Sequence, residues 1–176
     1  FTYAGGVTGQ ASGLFGPSVD GKTYTATFTP VDNVAGSATI RVNAGAFTDL
    51  AGNPNTTIAS HTILVDTIAP TVTITRAGTG TLKAGDTTVI TFTLSEPSTT
   101  FAQGDVGITN GTLSGFSGSG LNYTATFTPA ANFEGMATIT VPAGGFTDAA
   151  GNPNTAAAPL SIVVDTKAPT LSITRA

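Results

Sequence analysis

The sequence predicts an all-β protein made of tandem β-sandwich domains, the first of them incomplete. Three observations carry this. Tyr24–Asn55 reads YTATFTPVDNVAGSATIRVNAGAFTDLAGNPN and Tyr123–Asn154 reads YTATFTPAANFEGMATITVPAGGFTDAAGNPN, a gapless repeat with a spacing of 99 residues. Such a period is too long for a solenoid unit, which cannot bury a core alone, and suits a domain that can. Apolar residues alternate with threonine throughout, the period-2 signature of half-buried strands. Gly (22) and Pro (10) are abundant and charged residues make up only 9 %, so turns are frequent and a charge-rich disordered tail is excluded.

The second repeat divides into seven strands: Val72–Thr75, Val89–Ser95, Val106–Thr109, Thr112–Phe116, Asn122–Thr128, Met136–Val141 and Leu160–Asp165. Ile90, Phe92 and Leu94 share one face, as do Tyr123, Ala125 and Phe127, then Ala137, Ile139 and Val141, then Leu160, Ile162 and Val164. Threonine on the opposite face is β-branched, which suits a strand, and polar, which suits solvent. Nothing reads as a helix. Seven short strands in about 100 residues fit a seven-strand Greek-key sandwich of immunoglobulin-like type, with strands A to G. An odd strand count makes the chain enter at one end and leave at the other, so these domains string together. Phe15, Phe101, Phe116, Phe133 and Phe146 suit plugs at the ends of the core.

The organisation follows. Residues 1–66 form a partial domain with strands C to G, because Phe1 aligns with Phe101. Residues 67–70 are a short linker in which Pro70 fixes its own φ and biases Ala69 toward extended backbone. Residues 71–165 form a complete domain, and 166–176 begin a third repeat with VDTKAPTLSITRA (Val164 to Ala176) matching VDTIAPTVTITRA (Val65 to Ala77). Two explanations of the incomplete first domain stay open. Either the chain is cut from a longer array, or an A strand from a neighbouring chain completes it. No signal peptide and no membrane-spanning stretch is visible.

Catalysis lacks raw material. His61 is the single histidine, and its counterpart in the second repeat is Leu160, so a nucleophile–base arrangement carried by each repeat is not expected. Cysteine is absent, which removes disulfides and makes zinc improbable. The net charge of -4 and six scattered basic residues argue against nucleic acid.

The ten acidic residues are better placed. The B–C, D–E and F–G loops lie at the entry end of the domain. Glu96 and Asp105 flank B–C, Asp148 opens F–G, and the linker residue Asp66 arrives at the same end. Four carboxylates converging without a cation would repel one another, and Ca²⁺, which takes six to eight oxygens, resolves that. Asn152 and backbone carbonyls would fill the shell. Turn chemistry is the competing reading: Asp148 in FTDAAGNPN and Asp66 in VDTIAP can each cap their own backbone, and both recur as Asp49 and Asp165.

VDTIAPTVTIT, ITFTLSEPSTTFAQGDV, YTATFTPAANFEG and GGFTDAAGNPN resemble the bacterial immunoglobulin-like repeats of giant secreted surface adhesins and biofilm-associated proteins. The resemblance covers essentially the whole chain. It implies extracellular stalk repeats whose joints are stiffened by structural Ca²⁺. It matches Asp66 and Asp165 to the linker aspartate, with Glu96 in the SEP motif; Asp105 and Asp148 are less tightly specified. The expected partners are neighbouring repeats of the same protein, with strand complementation between chains as the alternative noted above, and neither nucleic acid nor membrane insertion. Two alternatives stand beside the stalk: a module binding carbohydrate or protein, and an accessory module of a large secreted enzyme.

Overall fold

The computed structural model describes residues 2–4, 9–12 and 22–175. Phe1 and Phe15 lie outside them. The chain divides into two compact units, residues 1–68 and 69–176.

In the first unit, β1 (Thr2–Ala4), β4 (Ala35–Val42) and β5 (Ala59–Asp66) form an antiparallel sheet in the order β1-β4-β5. β2 (Gly9–Ser12) and β3 (Thr27–Pro30) form a separate antiparallel pair. Among the described residues of this unit Ala38 and Val65 are buried, with Phe28, Val34 and Ile63 packed against them. Ala26, Phe28, Ile40, Ile63 and Val65 line an open groove of about 440 Å³. Their counterparts one period on, Ala125, Phe127, Ile139, Ile162 and Val164, are all at most 2 % exposed. The same side chains are sealed in one unit and partly open in the other.

The second unit contains β6 (Val72–Arg76), β7 (Leu82–Lys83), β8 (Thr88–Ser98), β9 (Gly107–Thr109), β10 (Gly111–Pro129), β11 (Glu134–Thr140) and β12 (Leu160–Asp165). One sheet runs β10-β8-β6 and the other β7-β12-β11-β9. All pairings are antiparallel except β7 with β12, where Leu82 faces Val164. The inner faces supply the core, and the eight residues Ile90, Phe92, Leu94, Tyr123, Phe127, Ile139, Ile162 and Val164 are between 0 and 5 % exposed. Phe101 and Phe146 close one part of it, with ring centroids 4.9 Å apart, and Phe101 stands edge-on to Tyr123 at 5.0 Å. Phe116 and Phe133 are partly buried against the same core.

The seven strands read in the sequence are present, and β7, two residues long, is added to them. Thr112–Phe116 and Asn122–Thr128 are the two arms of β10, which doubles back on itself. The Ala130 N–H donates to the Asn110 carbonyl at 2.9 Å, the Phe116 and Tyr123 rings stack, and the Gly118 backbone lies against Asn122 and Tyr123, so the chain reverses at Gly118-Ser119-Gly120. Gly118 and Gly120 take φ of 143° and 63°, a conformation glycine supplies at turns. One 3₁₀ turn, Gln103–Asp105, interrupts the β structure.

Candidate functional site

Two acidic side chains of the second unit come together. A carboxylate oxygen of Glu96 and one of Asp148 lie within 4.8 Å of each other. Glu96 is on β8, close to the register shift with β10, and is half-buried. Asp148 is in the loop from β11 to β12 and is 7 % exposed. Side-chain bonds hold that loop against the end of β8. Ser98 Oγ donates to the Thr147 carbonyl at 2.6 Å, and the Thr147 N–H donates to Thr100 Oγ1 at 2.9 Å. Ser98 Oγ also accepts the Thr100 and Phe101 N–H groups, so the last residue of β8 is tied on both sides.

Asp148 also organises its own loop. Its Oδ1 accepts the N–H groups of Ala150 and Asn152, both at 2.9 Å, and its Oδ2 accepts Asn152 Nδ2 at 2.8 Å. Burial pushes its carboxyl pKa up, but the Asn152 side chain and the backbone N–H donors outweigh this and hold it below the ordinary value. Asp49 repeats the arrangement in the first unit, accepting Ala51 N–H, Asn53 N–H and Asn53 Nδ2. The turn role weighed for this aspartate is therefore real. It does not exhaust the carboxylate, which has about four acceptor positions. Asn152, expected to help fill a metal shell, gives its side-chain N–H to Asp148.

Asp105 ends the 3₁₀ turn, and its Oδ2 accepts the Ala102 N–H at 2.8 Å. It lies beside Gly145, on the approach to the Asp148 loop, and is not in the acidic group. Asp66 is the last residue of β5, and its Oδ1 accepts the Ile68 N–H at 3.1 Å. Asp165 makes the same bond to Lys167 N–H at 3.2 Å.

Sequence reasoning missed two side chains that shape these loops. Asn154 is 3 % exposed; its Oδ1 accepts Phe146 N–H and its Nδ2 donates to the Pro142 and Thr155 carbonyls. Asn55 repeats this with Phe47, Asn43 and Thr57. The other is the linker threonine, Thr67 and Thr166. In both cases the signal was present: an identical residue at an identical place in each repeat.

His61 is exposed on β5 opposite Ile40. His61→Ala is expected to change stability by about 0.5 kcal/mol or less in urea denaturation, as exposed substitutions do. A loss of several times that would show a structural role for the imidazole.

The two-sheet sandwich, its duplicated loop and its duplicated linker define a tandem repeat module. The chain belongs to the bacterial Ig-like domain family, whose model matches residues 9–65 and 66–164. The family is non-catalytic, and its members are typically extracellular or at the cell surface. Searches of curated proteins and of solved structures returned no significant match. Among the described residues no helix is long and apolar enough to cross a membrane.

Proposed function

We propose that this chain is a segment of the stalk of an extracellular bacterial adhesin, and that Ca²⁺ stiffens the joint between its repeats. The observation that supports the stalk most is the duplication of frame rather than of site. The Asp49 and Asp148 loops, the Asn55 and Asn154 braces and the linker bonds recur, while the one histidine does not. A spacer needs the same frame each time. A binding module needs a surface, and the aromatics of the second unit are spent on its core. Tyr24 and Phe47 are 57 and 62 % exposed in the first unit, but their counterparts Tyr123 and Phe146 are core residues at 5 and 2 %. Their exposure reflects the open sandwich and does not favour a glycan platform.

In this proposal Glu96 and Asp148 supply carboxylate oxygens from the receiving repeat and Asp66 supplies one from the linker. Two like charges this close destabilise each other unless one takes a proton or a cation intervenes. A hard divalent cation with oxygen ligands suits such a set. Asp105 is assigned to its own turn. The partners are the neighbouring repeats.

Extracellular sites bind Ca²⁺ with dissociation constants of about 10⁻⁴–10⁻³ M. At a tenfold excess over that constant the ion adds about 1.4 kcal/mol by mass action, equivalent to about 5–10 °C in the melting temperature of a domain this size. Titration calorimetry and thermal melting with Ca²⁺ and with chelator test this. No heat and no shift would leave these acids as turn and surface residues.

A further inference from the structure

The linker is anchored by one bond set that appears twice. In the first unit Thr67 N–H donates to the Val34 carbonyl at 2.8 Å, Thr67 Oγ1 accepts Val34 N–H at 3.0 Å, and the same hydroxyl donates to the Val31 carbonyl at 3.0 Å. In the second unit Thr166 N–H donates to the Phe133 carbonyl at 2.8 Å, Thr166 Oγ1 accepts Phe133 N–H at 2.9 Å and donates to the Ala130 carbonyl at 2.7 Å. The turn that receives the hydroxyl is itself held in shape. Asn33 and Asn132 take φ of 64° and 55°, a left-handed conformation that asparagine tolerates better than most residues. The preceding aspartate binds the N–H two residues on, as Asp66 does with Ile68 and Asp165 with Lys167.

The other half of the linker is fixed differently. The Pro70 carbonyl accepts Thr155 N–H at 3.0 Å, and Thr71 N–H donates to Ser95 Oγ at 2.9 Å. Between the Ile68 N–H and the Pro70 carbonyl, Pro70 biases Ala69 toward extended backbone, which leaves the torsions of Ile68 as the point of rotation.

We propose that Thr67 is a clamp that fixes the start of the linker to the repeat it leaves, that Pro70 fixes its end to the repeat it enters, and that Ile68 is the hinge. Thr166 is the same clamp at the end of the second repeat. The hydroxyl does this because it both donates and accepts, closing the turn and the linker onto one oxygen. The clamp is a positioning device that works without any ion. As a mechanical element it deepens the stalk reading and rests on it. The hydrogen-bond geometry does not.

The test is amide hydrogen exchange and ¹⁵N relaxation on the full chain, with chelator present throughout so that any Ca²⁺ site is silent. Thr67→Val keeps the shape and removes the hydroxyl. It is expected to speed exchange of the Val34 N–H about tenfold, corresponding to one lost hydrogen bond. It should also lower the order parameters of Thr67 and Ile68 from about 0.85 in the native chain toward about 0.6. Thr67→Ser should restore both. Thr166→Val should change Phe133 and leave residues 67–69 as they were, which guards against misreading a general loss of stability. The clamp is overturned if Thr67→Val leaves the Val34 exchange and the linker order unchanged. It is equally overturned if Thr67→Ser behaves like Thr67→Val, because packing of the β-branched side chain would then be responsible. A chain that fails to bind Ca²⁺ but shows these changes would keep the clamp and discard the ion.

Discussion

Phe127→Ala is expected to destabilise the second unit by about 3–5 kcal/mol, the cost of a large-to-small change in a sealed core. Phe127 is 0 % exposed and points inward from β10 between the two sheets. The Gly111 backbone lies against its ring so closely that a Cβ at Gly111 would run into it. Neighbours held this tightly by two sheets cannot collapse into the space, so the cavity term adds to the lost transfer energy. Phe28, the same position in the first unit, borders the open groove and is only partly buried. Phe28→Ala should cost clearly less. Urea denaturation of the two variants checks the pair, and equal losses would mean that the first unit is as closed as the second.

The second large effect is expected from Asp148→Ala, about 2–3 kcal/mol. The change removes the acceptor of two backbone N–H groups and of the Asn152 amide in a loop that solvent reaches only in part. Donors left without partners cost more than the bond itself contributed. The carboxyl pKa lies below its ordinary value of 3.8, so the folded chain prefers the ionised form. The stabilisation is therefore present above the unfolded value and is lost as pH falls through the lowered folded value. The gap between native chain and variant should hold at pH 6 and narrow below pH 4. A gap independent of pH would mean that the shape of the side chain matters and its charge does not.

Much of the second unit was legible because one signal dominated it. Alternation along Val89–Ser95, Asn122–Thr128 and Met136–Val141 identified inward residues that are indeed buried, since a sandwich buries one face of each strand. Gly118 and Gly120 separate two strands in the sequence because glycine supplies the left-handed backbone a reversal needs, and the chain does reverse there. The strand that escaped notice, Leu82–Lys83, is too short to show a period. In the candidate site, strand direction was enough to bring Glu96 and Asp148 to the same end of the domain. It could not tell which acids would turn toward their own backbone. Asp105 does so, because the Ala102 N–H is three residues away and needs no loop to close. The linker threonine escaped notice because threonine is everywhere on these strands. Only its recurrence after an aspartate distinguished Thr67 and Thr166.

Small-angle scattering of the chain in millimolar Ca²⁺ and in chelator tests the proposed stiffened stalk most directly. A narrower distribution of interdomain distances is expected with Ca²⁺, broadening on chelation and insensitive to Ca²⁺ when Glu96 and Asp148 are both replaced by their amides. Superimposable profiles in the two conditions would rule out stiffening by the ion.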